Sequence, residues 1–333
     1  MATIRRTMDN RTIIIGTRGS KLALWQAEWV RSEILKLRPG TKVALNKIKT
    51  TGDKILDVPL AKVGGKGLFV KEIEEALLNG GADLAVHSMK DVPTEFPGGL
   101  HLPVICKRED PRDAFITKKE NNTWKIRSFN DLSKGATVGT SSLRRSCQLL
   151  SLRPDLKIEQ LRGNLDTRLR KLDEGLFDAI ILAAAGVKRL GWADRITEII
   201  STEVSLPAIG QGAIGIECRA DDEFINTLIA SMNHEETSVC VRAERAFLKK
   251  LEGGCQVPIA AHARLVNGRL SMDGLVGSIT GDRIIKSSAK GNTEASEAIG
   301  IALAEEILSR GAKEILDEVY GRCAPPVDGE ISS

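Results

Sequence analysis

The strongest constraint on the fold is an order of sequence elements that occurs twice, about 120 residues apart. The apolar run 12–15 leads through Gly16-Thr17-Arg18-Gly19-Ser20 into a segment with helical apolar spacing. The run 136–138 leads in the same way through Gly139-Thr140-Ser141-Ser142 into a second such segment. Strands that alternate with helices predict mainly parallel sheets covered by helices. The repeat therefore predicts two similar α/β lobes.

The predicted architecture is α/β, with two doubly wound lobes that resemble those of periplasmic binding proteins and face each other across a cleft. From about Glu235 the pattern changes to alternating strands, with the hairpin turn Asn267-Gly268 between two of them. This change predicts a small α+β C-terminal domain with a three-stranded antiparallel sheet. The predicted boundaries are 1–107 with 212–232 for the first lobe, 112–206 for the second lobe, 235–322 for the third domain and 323–333 for a loose tail.

Composition argues against several classes of protein. The 333 residues are 42% hydrophobic, which is ordinary for a folded protein, and no apolar run approaches the ~20 residues of a membrane span. The first eleven residues lack the apolar core of a secretory signal, so we expect a cytoplasmic protein without a membrane partner. A net charge of +4 and 4% aromatic residues argue against nucleic acid as a partner. Six cysteines without a CxxC pair and four dispersed histidines suggest neither a metal site nor a disulfide framework.

Arginines cluster where an anionic ligand would bind. Arg144 and Arg145 fall in the first turn of a predicted helix, where the helix dipole disfavours cations. Either an anion compensates them or both extend into water. Guanidinium groups bind carboxylates and phosphates in a bidentate manner, so convergence of several would indicate a polyacidic ligand. Further arginines at the same predicted strand-end face are Arg18, Arg162, Arg168 and Arg189.

Asp91 follows Lys90 in the loop after a buried strand. From there a carboxylate could stabilise a developing cation or transfer a proton. The alternative is an ordinary turn aspartate before Val92-Pro93, because aspartate is common in turns.

Cys255 follows Gly253-Gly254 just after a predicted helix end. Small neighbours would leave its thiol accessible, whereas a cysteine packed beneath the turn would be inert. The loop Gly64-Gly65-Lys66-Gly67 lacks the spacing of a nucleotide-binding P-loop and is read as a flexible basic loop.

Together these motifs resemble those of the porphobilinogen deaminases, or hydroxymethylbilane synthases, from residue 13 to about residue 320. At these motifs we find no departure from the family pattern. The segments that carry the resemblance are 17–20, 22–26, 64–69, 87–93, 139–145, 161–164, 210–212 and 251–255.

The resemblance implies a transferase that condenses four porphobilinogen molecules with loss of ammonia to give linear hydroxymethylbilane. It also implies a dipyrromethane cofactor, attached to Cys255 through a thioether, that primes the chain. Asp91 would stabilise the azafulvenium cation that remains when ammonia leaves. The residues implied for the cofactor are Lys90, Ser88, Arg144, Arg145, Thr140, Ser142 and Arg168. Those implied for the substrate or the growing chain are Arg18, Ser20, Gln26, Arg162, Arg189 and Gln211, with Asp53, Lys62 and Lys66 in a loop that rearranges.

Two other readings remain open from the residues alone. A two-lobed solute-binding or sensor protein for an acidic small molecule would share the cleft. A nucleic-acid binder would use the same basic clusters and would show steep salt dependence. We expect a monomer whose partner is a small molecule.

Overall fold

The computed structural model describes residues 11–54, 70–120, 123–252 and 257–323. In chain order the strands are β1 (Thr12–Arg18), β2 (Lys42–Ile48), β3 (Leu84–Ser88), β4 (Leu100–Ile105), β5 (Asp113–Thr117), β6 (Lys119–Glu120), β7 (Thr123–Trp124), β8 (Thr137–Gly139), β9 (Lys157–Glu159), β10 (Ala179–Ala183), β11 (Glu198–Ile199), β12 (Ile214–Arg219), β13 (Ile259–Val266), β14 (Arg269–Gly277) and β15 (Ile284–Gly291). The helices are α1 (Lys21–Leu37), α2 (Thr51–Lys54), α3 (Lys71–Leu78), α4 (Leu143–Leu152), α5 (Leu165–Asp173), α6 (Ala184–Arg189), α7 (Glu223–Ile229), α8 (Glu235–Lys250), α9 (Ser296–Ile307) and α10 (Lys313–Cys323).

The two repeated segments form two five-stranded sheets of the same topology. The first sheet has the order β2-β1-β3-β12-β4, and the second, read from its corresponding edge, has the order β9-β8-β10-β5-β11. In each sheet the first two pairings are parallel and the last two are antiparallel. The predicted α/β class with two similar lobes is confirmed.

The prediction of mainly parallel sheets is wrong, because parallel and antiparallel pairings are equal in number in the two large sheets. β12 enters the first sheet antiparallel to both β3 and β4 after the chain has passed through the second sheet. Strands buried on both faces read as continuous apolar runs in either direction, so the sequence pattern does not reveal their orientation.

The third sheet has the order β13-β14-β15 and is antiparallel, as predicted. Asn267 and Gly268 both have positive φ, at 51° and 75°, which is the backbone of a type I′ hairpin turn. Phe247, Met272 and Leu303 are fully or almost fully buried in the core between this sheet and its helices. The last helix, α10, was not predicted; it begins after Gly311, whose φ of 96° interrupts the preceding helix.

Two crossing segments connect the large sheets, at 106–112 and 200–213. Glu244 of α8 is fully buried and contacts both segments. Its carboxylate accepts hydrogen bonds from Arg108 Nη1 at 2.6 Å and from the Gly210 backbone N–H at 2.7 Å. The third domain is therefore fixed at the point where the chain crosses between the sheets. Within the described ranges, no helix has both the length and the apolar character that a membrane span requires.

Candidate active site

Polar loops from both large sheets meet at the carboxyl ends of their parallel strands. β1 ends at Arg18, and β3 ends at Ser88, directly before the short 3-10 turn Met89–Asp91. In the second sheet, β8 is followed by Thr140 and Ser142, which precede α4. Because β1 and β3 are parallel, and β8 and β10 are parallel, each set of loops lies at one sheet edge.

Hydrogen bonds fix the small polar residues predicted for the site. Gln26 of α1 is buried and donates from Nε2 to Ser88 Oγ at 2.9 Å. Ser20 caps α1, and its Oγ accepts from the Ala23 backbone N–H at 3.3 Å. Thr140 Oγ1 accepts from the Ser142 backbone N–H at 3.2 Å. These bonds hold the loops in place, which is the support that a binding site requires.

Arg144 and Arg145 do not extend into water, since only 4% and 5% of their surfaces are exposed. Both guanidinium groups bind the carboxylate of Asp113, which is fully buried at the start of β5. The shortest distances are 2.7 Å from Arg144 Nη1 to Oδ2 and 2.8 Å from Arg145 Nη2 to Oδ1. The chain therefore supplies one anion that the arginine pair requires.

Asp113 is the functional residue that the sequence reasoning missed. Burial by itself would raise the pKa of its carboxyl, but Arg144 and Arg145 outweigh burial and hold that pKa well below the usual range. The carboxylate also accepts hydrogen bonds from Ser205 Oγ at 3.0 Å and from Gln211 Nε2 at 3.0 Å. The only sequence feature that could have indicated Asp113 is its position at the end of a crossing segment. The charged residues of that segment are instead typical of a solvent-exposed loop.

The structure brings Lys90 and Asp91 of the first sheet close to arginines of the second. Burial lowers the pKa of Lys90; Asp91 opposes this shift, and Arg145, Arg168 and Arg144 reinforce it. Burial likewise lowers the pKa of Arg168 to about 10, with a further lowering by Arg145 that Asp91 partly offsets. Positive charge is thus in excess at this junction.

Of the three predicted substrate arginines, Arg162 lies beside this cluster and Arg189 lies at the second crossing segment. Arg162 is close enough to Arg168 to contribute to the lowering of its pKa. Arg189, at the end of α6, donates from Nη2 to the Gly212 carbonyl at 2.7 Å. Its guanidinium also lies 5.8 Å from the centre of the Trp25 ring on α1, so it contacts the first lobe as well as the crossing segment.

The charge balance of this cluster fits a polyacidic ligand. Five cations (Lys90, Arg144, Arg145, Arg162 and Arg168) stand against the two carboxylates of Asp91 and Asp113. Within the part of the chain that the structure describes, Arg144 Nε and Gln211 Oε1 are buried without a hydrogen-bond partner. A buried donor without a partner is costly, and a ligand carboxylate would satisfy the one on Arg144.

Some predicted site residues lie outside the described residues. They are Cys255, Lys62 and Lys66; for Asp53 the backbone is described as part of α2, but the side chain is not.

Cys106, Cys147 and Cys218 are buried, and burial raises the pKa of each thiol to about 12. A buried thiol with a raised pKa is inert, so these three cysteines contribute to packing. His87 is buried and hydrogen-bonds Glu217 through Nε2 at 2.8 Å.

Solved structures with related topology include two-lobed binding proteins. The VFT2 domain of Bordetella pertussis BvgS aligns with 69% of this chain and 89% of its own length, at 16% identity and a TM-score of 0.40. The methionine-binding protein MetQ aligns with 68% of this chain and 92% of its own, at 17% identity and a TM-score of 0.42. Values this low say nothing about a shared ligand.

Comparisons of sequence give much higher identities than the comparisons of structure. The family model "Porphobilinogen deaminase, dipyromethane cofactor binding domain" matches residues 13–227, and the model of the C-terminal domain of the same family matches residues 238–309. A porphobilinogen deaminase of Geobacter metallireducens is 58% identical over 95% of this chain and 97% of its own length. That of Geobacter sulfurreducens is 58% identical over 92% of this chain and 95% of its own. The chain belongs to the porphobilinogen deaminase family.

Proposed function

We propose that the chain is a hydroxymethylbilane synthase, a transferase of tetrapyrrole biosynthesis. It condenses four porphobilinogen molecules head to tail, releases one ammonia at each addition, and frees the linear hydroxymethylbilane by hydrolysis. The observation that carries this proposal is 58% identity to a porphobilinogen deaminase over 95% of the chain. The cation cluster supports it, because porphobilinogen bears an acetate and a propionate and every addition brings two further carboxylates.

We propose that a dipyrromethane cofactor is attached to the chain through a thioether at Cys255. When bound, this group supplies the pyrrole carbon on which the chain is extended. The residues proposed to hold its carboxylates are Arg144, Arg145, Arg168 and Lys90, with Ser88, Thr140 and Ser142 as hydrogen-bond partners. The buried Nε of Arg144 supports this assignment, because that donor has no partner among the described residues. Lys90 also supports it: burial lowers its pKa most, nearby arginines lower it further, and bound carboxylates would offset that neighbouring positive charge.

Incoming porphobilinogen is proposed to bind where the two lobes meet. Arg162 and Arg189 would bind its carboxylates from the second lobe, and Arg18 would do so from the end of β1. The buried Oε1 of Gln211 is an acceptor without a partner in the described chain, which suits a pyrrole N–H. Ser20 and Gln26 are proposed to complete the substrate contacts.

Asp91 is proposed to act as the catalytic carboxylate. The aminomethyl group of porphobilinogen enters as the protonated ammonium; when its C–N bond breaks, the bonding electron pair leaves with ammonia and the substrate becomes a cation. A carboxylate about 4 Å away would stabilise that cation by roughly 4 kcal/mol at an effective dielectric constant near 20. The new C–C bond then forms, and Asp91 would accept the ring proton that is lost. Asp91 lies close enough to Lys90 and Arg168 to raise the pKa of each, which places its carboxylate within the cation cluster.

We also propose three domains with the boundaries predicted above, one for each of the three larger sheets. The loop that contains Asp53, Lys62 and Lys66 rearranges as the product lengthens, and hydrogen exchange that differs between elongation states would support this. The protein acts in the cytoplasm as a monomer, which light scattering of the purified protein would test.

The decisive experiment is intact-mass measurement of the wild type and of Cys255→Ser. The wild type should carry an adduct with the mass of a dipyrromethane, and porphobilinogen should add further pyrrole units stepwise. Cys255→Ser should lack both the adduct and turnover, whereas Cys323→Ser should retain both. A wild type that forms hydroxymethylbilane with Cys255 unmodified would contradict the covalent attachment. Reversible porphobilinogen binding without ammonia release would favour the solute-binding reading.

A further inference from the structure

One face of α8 packs directly on the segment that carries Asp91. Val241, Arg245 and Lys249 are spaced four residues apart, so they lie along one side of the helix. Val241 is fully buried and belongs to an apolar cluster with Met89 and Val92, which flank Asp91. The same helix ends at Lys250, five residues before Cys255. α8 therefore connects the Asp91 segment with the proposed cofactor attachment point.

Arg245 contacts the backbone of this segment directly. Its Nη1 donates to the Val92 carbonyl at 3.2 Å, and its Nη2 donates to the Pro93 carbonyl at 2.6 Å. Its guanidinium also lies 5.7 Å from the centre of the Phe96 ring. One planar group thus holds two consecutive carbonyls immediately after Asp91, in the rigid fork geometry that a guanidinium provides and a flexible ammonium does not.

Removing the Arg245 guanidinium from water costs free energy, and that cost would be unnecessary if the contact only joined two surfaces. Burial lowers the pKa of Arg245, and among the described residues it forms no ion pair that would offset the loss of hydration. The neighbouring contact from Lys249 to Glu95, at 3.4 Å, is an exposed pair of the kind that contributes little. The half-buried guanidinium of Arg245 is therefore the main polar contact between α8 and the turn after Asp91.

We propose that Arg245 is a positioning residue for the condensation reaction. It fixes the turn that carries Asp91 relative to the helix that leads to Cys255. The carboxylate and the attached chain then keep the same relative position. This inference rests on the proposed function. Arg245 itself touches neither substrate nor cofactor and acts through the backbone of Val92 and Pro93.

The test compares Arg245→Met and Arg245→Lys with Arg242→Met on the same helix. Arg242 is exposed and pairs with Glu235 at 3.2 Å, away from Asp91. Lysine keeps the charge of Arg245 but cannot hold two carbonyls in one plane. We expect kcat to fall about 10- to 100-fold in both Arg245 variants, because displacement of a catalytic group by about 1 Å costs that much. KM should change by less than about threefold, since the proposed substrate contacts remain.

Two further readouts separate positioning from stability. Intact mass should show the same dipyrromethane occupancy in the Arg245 variants as in the wild type. In an Asp91→Glu background, where the carboxylate is already displaced, Arg245→Lys should lower kcat by less than about threefold. If Arg245→Met does not fold, Arg245→Lys decides the question, because it retains the charge and most of the stem.

Two results would overturn the inference. One is a kcat in Arg245→Lys equal to that of Arg242→Met. The other is a full, multiplicative loss in the Asp91→Glu background, which would show that Arg245 acts independently of the carboxylate. Failure of the proposed function would instead appear in the wild type, as absence of the adduct or of ammonia release.

Discussion

Replacing Asp113 by asparagine would test whether one buried carboxylate holds the arginine pair in place. The change leaves the shape almost unaltered but removes the only negative charge that touches Arg144 and Arg145 in the described structure. Removing one partner of a buried ion pair costs about 3–5 kcal/mol, because the remaining charge is left uncompensated. Two guanidinium groups share this carboxylate, so we expect a loss of at least that size, which is a large part of a typical stability of about 5–15 kcal/mol.

The assay is urea unfolding at pH 7 in a Cys255→Ser background. That background removes the proposed attachment point, so ligand carboxylates cannot replace Asp113. The matched control is Asp173→Asn, whose partner Arg195 lies 2.6 Å away on the surface. An exposed pair of this kind contributes about 0–1 kcal/mol.

The pH dependence has a definite sign. Asp113 has a pKa well below its usual range in the folded state, against about 3.9 when unfolded. Its stabilisation is therefore complete above about pH 4 and is lost as the pH falls toward the folded value. The difference in the free energy of unfolding between the Cys255→Ser protein and its Asp113→Asn variant should therefore become smaller below about pH 4. Equal losses in Asp113→Asn and Asp173→Asn at pH 7 would refute the reasoning.

Three further predictions follow from the site and the crossing segments. Asp91→Ala should abolish ammonia release while the unfolding midpoint stays unchanged, whereas Glu95→Ala on the same loop should retain turnover; near-normal turnover of Asp91→Ala would contradict the catalytic role. Because the pKa of Lys90 is lowered in the chain without cofactor, attachment of the dipyrromethane, followed by intact mass, should weaken with rising pH well below the ordinary lysine value of about 10.4, and this early loss should be absent in Lys90→Arg. Gly212→Ala should lower the free energy of unfolding by more than Gly40→Ala does. Both glycines have positive φ, but an added Cβ at Gly212 would lie 2.4 Å from a backbone oxygen, whereas one at Gly40 would contact nothing. Equal urea midpoints for the two variants would count against this.

Local sequence patterns were sufficient to predict the strands and helices that repeat. The spacing of apolar residues in α1 and the glycine-containing loops after β1 and β8 predicted two similar lobes, and Asn267-Gly268 predicted the hairpin of the third sheet. These features depend on residues that are neighbours in sequence. They are therefore visible without any knowledge of tertiary contacts.

Features that depend on distant contacts could not be predicted in this way. Asp113 lies in the charged run Glu109-Asp110-Pro111-Arg112-Asp113, which reads as solvated, and only the tertiary fold places it beneath two arginines. The contact of Arg245 with the Val92 carbonyl spans 153 positions in the chain. α10 was missed because a glycine within a helical pattern indicates an end, whereas here the helix resumes after Gly311.

The position of β12 has a consequence for how the protein is made. β12 lies between β3 and β4 in the first sheet, yet it follows β4 by roughly 110 residues in the chain. During translation, the backbone hydrogen-bonding groups on one edge of β3 stay unpaired until β12 leaves the ribosome. The second sheet lies wholly within 113–199 and can close earlier, so the middle of the polypeptide is expected to reach its native form before the beginning does. The open edge of β3 is then the surface most in need of a chaperone during translation.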